Sequence, residues 1–310
     1  MCGIAGIISF SDRGEQECLE RMCNTMSHRG PDDSGIYHSP DSRALLGHRR
    51  LSIIDLSRSA RQPLSNEDDT VLVTCNGEIY NYQELRKELD ARGHRFKSKC
   101  DTEVIVHGYE EWGIEGLLQR LRGMFAFGLY DTRPEGASHP TLFLARDRLG
   151  IKPLYYYTAQ DKRFVFASEI NAILASGLAP RETDLQATAL YLLHGSIPPP
   201  KTIYKGITAL EPGHYLALSS ATGRPSKERY YHLEEAFEDG SLSEFSEEES
   251  TQRVRSCLLD TIRCHLLSDV PVGAFLSGGI DSTAIVALMR ELQYEQLKTV
   301  SIIFPGTPYD

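Results

Sequence analysis

The sequence predicts two folds in tandem: an α+β sandwich of antiparallel sheets packed with helices, then the beginning of an α/β unit built on a parallel sheet. Three observations carry this. Residues 2–218 hold many short apolar, strand-like runs with few helical periods between them, which favours antiparallel sheets over a doubly wound domain. Residues 219–247 are polar and acidic and read as a linker. Residues 248–310 then run helix, strand, glycine turn, helix, strand, which is one βαβ unit of an incomplete second domain.

The elements follow in order. GIAGIISF, ALLGHRRLSIID, TVLVTCNGEIYN, MFAFGLYDT, TLFLARD, LYYY and FVFASE are the predicted strands, and RGPDDSG and RPEGASHP are predicted turns. Residues 81–92 carry Leu85 and Leu89 one helical turn apart. Asp101 is placed as the N-cap of a helix TEVIVHGYEEW, with Val104, Ile105 and Tyr109 on one side. Beyond the linker, a helix over 248–267 sets Val254, Leu258, Ile262 and Leu266 on one face. VPVGAFL is a buried-looking strand, TAIVALMREL a helix and Thr299–Ile303 a second strand.

The bulk composition narrows the function. An apolar fraction of 41% is ordinary for a globular chain. A net charge of −10 argues against a nucleic-acid partner, which selects a basic surface. No stretch approaches the roughly 20 apolar residues of a membrane span, and the N-terminus lacks the pattern of a secretory signal. The seven cysteines are an odd number with no CxxC pair, so reduced thiols in a cytoplasm are expected.

Two places carry chemistry. SGGIDST joins a strand to a helix. Gly278 and Gly279 let the backbone approach a ligand, Ser277, Ser282 and Thr283 supply hydroxyls, and the helix N-terminus favours an anion. Asp281 is suited to Mg²⁺, which prefers oxygen ligands beside phosphates. The second place is Cys2, either an incidental thiol or a nucleophile exposed by removal of Met1. Cys75 reads as a buried filler and His28 as a turn residue.

MCGIAG, HRGPD, RLSIID, NGEIYN, DTEV, GMFAF, RDRLGIKPLYY and SEINAIL occur in that order, joined to SGGIDS. In this the chain resembles the glutamine-hydrolysing asparagine synthetases of the bacterial B type. Those join a class II glutamine amidotransferase, an N-terminal-nucleophile hydrolase sandwich, to an ATP-pyrophosphatase domain. The resemblance implies that Cys2 attacks the glutamine amide, with its own freed α-amine as base. It implies Asn76 and Gly77 as oxyanion donors, Arg50 on the substrate carboxylate through a bidentate pair, Glu78 and Asp101 on the ammonium, and Leu51, Ser52, Ile53 and Ile54 along the pocket. It places ATP on Leu276, Ser277, Gly278, Gly279, Asp281, Ser282 and Ile302, with Leu276 and Ile302 flanking the adenine. Ammonia would cross an apolar path to a β-aspartyl-adenylate made from aspartate and ATP with Mg²⁺; a homodimer is allowed for. A second glycine- and acid-rich motif of the family is not found before Asp310, so the synthetase half is expected to be incomplete. The alternatives are an amidotransferase of specialised metabolism acting on another carboxylate, and a glutaminase-only or non-synthetic remnant.

Overall fold

The computed structural model describes residues 1–9, 16–133, 141–219, 223–235, 245–295 and 297–308. Most of the predicted turn RPEGASHP and the centre of the acidic linker lie outside these residues. Two compact units divide at Leu233 and Glu234.

In the first unit, β1 (Gly3–Ile8), β2 (Asp33–His38), β3 (Ala44–Arg50), β8 (Tyr155–Thr158), β9 (Phe164–Ala167) and β10 (Thr208–Ala209) form one sheet, in the order β10-β8-β9-β1-β3-β2. The other sheet runs β12-β11-β7-β6-β5-β4, from β4 (Leu64–Ser65), β5 (Val71–Ile79), β6 (Gly123–Asp131), β7 (Thr141–Arg146), β11 (His214–Ser219) and β12 (Pro225–Arg229). Every pairing in both sheets is antiparallel.

Alternation along the strands builds the layers. Ile4, Ile8, Leu46, Phe164 and Phe166 of the first sheet meet Leu72, Ala126, Leu144 and Leu216 of the second in one core. The opposite face of the first sheet, with Ala5, Ile7, Leu45 and Val165, is covered by α1 (Gln16–Thr25) and α4 (Ile170–Ala175). Val71, Val73, Phe125 and Phe127 of the second sheet pack under α2 (Tyr82–Ala91) and α3 (Glu103–Arg120). The result is helix, sheet, sheet, helix. Each fully buried Ile, Leu or Phe in these cores contributes about 1.5–3 kcal/mol. α5 (Leu185–His194) completes the helices of this unit among the described residues; Asp184 caps its N-terminus.

Several sequence-based expectations are corrected. RGPDDSG is not all turn: Asp33, Ser34 and Gly35 open β2, because β3 offers a strand to pair with. Asp101 is not a cap. Thr102 holds the N-cap position of α3 without a side-chain bond, and the Asp101 carboxylate instead accepts the Ile79 N–H at 2.8 Å. The helix expected to stop at Trp112 does break there, since Gly113 is left-handed at φ +68°, but helical turns resume to Arg120. The linker expected over 219–247 contains β12, which pairs with β11; Tyr230 is buried and donates its hydroxyl to Arg146 O at 2.8 Å. All five β12 side chains are exposed, so their sequence is polar and the strand shows only in its backbone ladder. All seven cysteines are free thiols.

The second unit holds α6 (Glu247–His265), β13 (Gly273–Phe275), α7 (Ile280–Glu291) and β14 (Lys298–Val300), with β13 and β14 parallel as expected. Ser246 and Glu249 form a reciprocal capping box on α6. Only the C-terminal half of its apolar face packs. Ile262 is buried with Leu288 and Met289, whereas Val254 is exposed. Both strands are shorter than the sequence runs that predict them. No helix among the described residues is long and apolar enough to cross a membrane.

Candidate active site

Cys2 stands at the entrance to β1, which has a neighbour on each side, so the chain start is held in the middle of a sheet. Ser168 clasps it further. Its Oγ accepts the Ile4 N–H at 3.0 Å and its own N–H donates to Ile4 O at 2.9 Å. Arg29 Nε donates to Cys2 O at 2.8 Å and is itself pinned by Glu169 at 3.0 Å. The thiol lies against the Leu51 backbone, accepting its N–H at 3.4 Å. Burial pushes the Cys2 thiol up, partly opposed by that N–H. The Met1 amine is lowered, first by burial, with the Lys152 and Arg29 charges adding to it. Removal of Met1 would replace this amine by the α-amine of Cys2 itself, on the same residue as the thiol it would serve as base.

Both sit on a cavity of about 250 Å³, at the small end for ligand pockets and in proportion to a single amino acid. Cys2, Arg50, Leu51, Ile53, Ile54, Asn76, Gly77, Glu78 and Asp101 line it together. Ser52 does not: its N–H donates to Asp32 Oδ2 at 2.8 Å. Met1, Gln62, Cys100, Thr102, Met124 and Lys152 also line it, and sequence reasoning did not single them out. For Lys152 the signal was the motif RDRLGIK. The Asp147 carboxylate gathers the N–H groups of Leu149, Ile151 and Lys152 at 2.9–3.1 Å, turning the loop that delivers Lys152. His28 lies outside, on Glu169 at 3.0 Å, and Cys75 is fully buried with its thiol pushed well up.

The donor geometry at Asn76 and Gly77 follows from strand register. Gly77 faces Phe125 across the β5–β6 ladder. Phe125 turns both its backbone groups the other way: its N–H donates to Asp147 Oδ2 at 3.3 Å and its carbonyl accepts the Asp147 N–H at 2.8 Å. Opposed residues in an antiparallel pair exchange both bonds or neither. The Gly77 N–H therefore points away from β6. Its neighbours on that edge are satisfied: Cys75 N–H by Gln62 Oε1 at 2.6 Å and Ile79 N–H by Asp101 at 2.8 Å. Gly77 N–H, between them, faces the cavity. A side chain at Gly77 would stand 2.3 Å from Met124 O, so glycine is required by the partner strand. Asn76 is 1% exposed, and neither Nδ2 nor Oδ1 has a hydrogen-bond partner among the described residues.

Charge completes the site. Burial raises the Asp101 carboxyl to about 6, with Glu78 adding to the rise and the Ile79 N–H opposing it. Arg50, buried, donates to Ser57 O at 3.0 Å, to Ile54 O at 3.3 Å and to Asp55 O. Three of its donors thus shape the loop over the cavity, which leaves less of the expected bidentate fork for a substrate.

In the second unit, Leu276 N–H donates to Val300 O at 2.9 Å, bringing Leu276 and Ile302 to one end of the parallel pair. Ser277 and Ser282 hydroxyls meet at 3.1 Å across the turn. Gly278 is left-handed at φ +83°, with open space where a side chain would be. Asp281 lies exposed in the first turn of α7. Hydroxyls, an open glycine turn and a helix start fit a polyphosphate.

Four layers of this kind with a thiol at the start of a central strand make the N-terminal-nucleophile hydrolase sandwich, and the first unit has that fold. A family model described as glutamine amidotransferase domain matches residues 1–231, so the chain belongs to that family; one described as asparagine synthase matches 253–310. The chain is 39% identical to asparagine synthetase [glutamine-hydrolyzing] 3 of Bacillus subtilis, over 93% of this chain and 45% of that protein. It is 35% identical to a putative asparagine synthetase [glutamine-hydrolyzing] 2 of Methanocaldococcus jannaschii, over 100% and 62%. Amidase chry2 of Gibberella zeae is also 35% identical, over 94% and 43%. The chain thus spans about half the length of most of these relatives. In fold it is similar to a glutamine phosphoribosylpyrophosphate amidotransferase from B. subtilis, at TM-score 0.54 and 18% identity, over 96% of this chain and 65% of that one.

Proposed function

We propose that the first unit hydrolyses glutamine at Cys2 and that the chain serves a glutamine-dependent asparagine synthetase acting in the cytoplasm. The observation that carries the reading is a pair of donors on the same small cavity as Cys2: Asn76 Nδ2, without a partner among the described residues, and the Gly77 N–H, turned away from β6 by the strand register. Once Met1 is removed, the α-amine belongs to Cys2 and takes the thiol proton. Sγ bonds to the carboxamide carbon, and the oxyanion settles on Asn76 and Gly77. The amine returns its proton to the leaving nitrogen and the C–N bond breaks, giving ammonia and a γ-glutamyl thioester. Water then attacks the thioester and releases glutamate and the thiol. Arg50 and the loop it holds bind the α-carboxylate; Glu78 and Asp101 bind the α-ammonium.

The second unit supports the other half of the reading. Ser277, Gly278, Gly279 and Ser282 would hold the polyphosphate of ATP, Leu276 and Ile302 its base, and Asp281 the accompanying Mg²⁺. ATP supplies activation of the acceptor carboxylate, with aspartate the acceptor that two of the relatives' names indicate. Ammonia release from glutamine by the purified chain tests the first step. Equal amounts of asparagine and pyrophosphate from glutamine, aspartate, ATP and Mg²⁺, made by the gene product that carries this chain, test the second. Pyrophosphate formed with a different carboxylate, and none with aspartate, would favour the specialised amidotransferase.

Two further outcomes are expected. Arg50→Ala should raise KM for glutamine by about 10- to 100-fold with a smaller loss of kcat, because carboxylate binding is shared by ground and transition states. Arg50→Lys should not restore it, since a single ammonium cannot reproduce the planar fork whose separate nitrogens reach the three carbonyls. Steady-state kinetics decide; a kcat defect at unchanged KM would remove Arg50 from substrate binding. The second concerns pH. Above about pH 6 the Asp101 carboxyl is ionised and attracts the substrate ammonium; below it the group is neutral. KM should rise as pH falls through about 6, and Asp101→Asn should show a raised KM without that inflection. The stability sign is opposite. The folded chain holds this proton more tightly than the unfolded chain, so Asp101 favours folding most below the ordinary carboxyl value of 3.8, and that contribution is lost as pH rises from there to about 6.

A further inference from the structure

Away from the cavity, His107 presents a problem of satisfaction. It lies in α3 with no exposed surface, and neither ring nitrogen makes a hydrogen bond among the described residues. A buried imidazole left without partners opposes folding. Carboxylates surround it without closing. Nδ1 is 3.7 Å from Glu67 Oε2 and 3.6 Å from Glu110 Oε2, and Nε2 is 3.7 Å from Glu103 Oε1.

Those separations are too long for N–H···O bonds, which run at about 2.7–3.2 Å. The two at Nδ1, to Glu67 and Glu110, are close to the spacing of neighbouring ligands on a tetrahedral metal ion, about 3.4 Å for bonds near 2.1 Å. His94 adds a second imidazole. One ligand atom each from Glu67, His94 and His107 lie within 4.8 Å of one another. Glu67 and His94 have outer partners of the kind that orient metal ligands. Glu67 Oε1 accepts the Arg95 N–H at 2.8 Å, which leaves Oε2 toward His107. His94 Nε2 stands 3.3 Å from Glu111 Oε2, the outer carboxylate that orients a ligating imidazole.

We propose that Glu67, His94 and His107 form a zinc site, with the fourth position open to water or to Glu110 Oε2. Two imidazoles and a carboxylate are a donor set that Zn²⁺ accepts. The ligands come from the turn between β4 and β5, the connection after α2, and α3, so the ion would staple three segments that local structure does not join. None of the three lines the Cys2 cavity, and the role is structural. The rival is a proton: an imidazolium at His107 shared among Glu67, Glu103 and Glu110.

The experiment uses the full chain, with Glu67→Gln and His94→Ala as variants. Neither ligand is fully buried, so both variants should fold. After Zn²⁺ loading and dialysis, metal content is measured, and thermal unfolding is followed with Zn²⁺ and with a chelator. The parent should retain one more equivalent of zinc than either variant, any zinc on the thiols being common to all three. Its Tm should rise by several degrees with Zn²⁺ and return with the chelator, while each variant binds at least about tenfold more weakly and shows no rise. Equal zinc in all three proteins, or a Tm rise that survives both substitutions, would overturn the site and leave the imidazolium network in its place.

Discussion

Cys2→Ala is expected to abolish glutamine hydrolysis, by about 10⁴-fold or more, while the protein remains folded. The magnitude is that of deleting the nucleophile from a machine whose parts act together. The folding expectation rests on contacts. The Cys2 side chain touches the Leu51 backbone, whereas the bonds that fix the chain start run through Cys2 O and the Ile4 backbone, and alanine keeps them. Ammonia release and thermal unfolding of variant and parent decide it. Comparable rates would remove Cys2 from the mechanism. So would an active protein whose mass shows Met1 retained, because the amine of Cys2 would then be bound in a peptide.

Asn76→Ala should lower kcat by about 10²- to 10³-fold and leave KM within a few-fold, since an oxyanion donor acts where charge develops. The same substitution should barely change stability. Most buried amides are bonded, and truncating them leaves a partner stranded. Asn76 has no partner to strand among the described residues, and it lines a cavity. A variant with normal kcat and a large KM defect would end the oxyanion assignment. A variant that fails to fold would show that Asn76 is held by contacts other than those described.

The strands were legible because a short continuous apolar run bounded by turn residues is a strong local signal, as in β1, β5 and β6, which are buried along most of their length. The short β4 and β10 and the exposed β12 were not. Two residues carry no period, and a strand with five exposed side chains has a loop's composition. The helices α1 and α4 were passed over as well, although both bury residues against the first sheet. Asp101 shows a different failure. An acid before a helical period is the ordinary mark of a cap, yet here a bare amide at the end of β5, far along the chain, competes for the carboxylate and takes it.

By itself the sequence determined the thiol behind Met1, the Asn76–Gly77 pair on a strand, and the glycine turn before a helix, since each is a matter of residue type and near spacing. Only the tertiary structure decided which way these groups face. Gly77 N–H is free because Phe125, forty-eight positions on, spends its own backbone on Asp147. Lys152 reaches the cavity because Asp147 turns its loop. Arg50 is committed in large part to the carbonyls of the loop beside it, which its residue type alone did not reveal. His107 meets Glu67 because a β turn and a helix are stacked, not because forty residues of chain connect them. A hydrogen bond is short and directional, so whether a donor is spent or available depends on what the fold brings within about 3 Å of it. Composition and spacing carry no record of that.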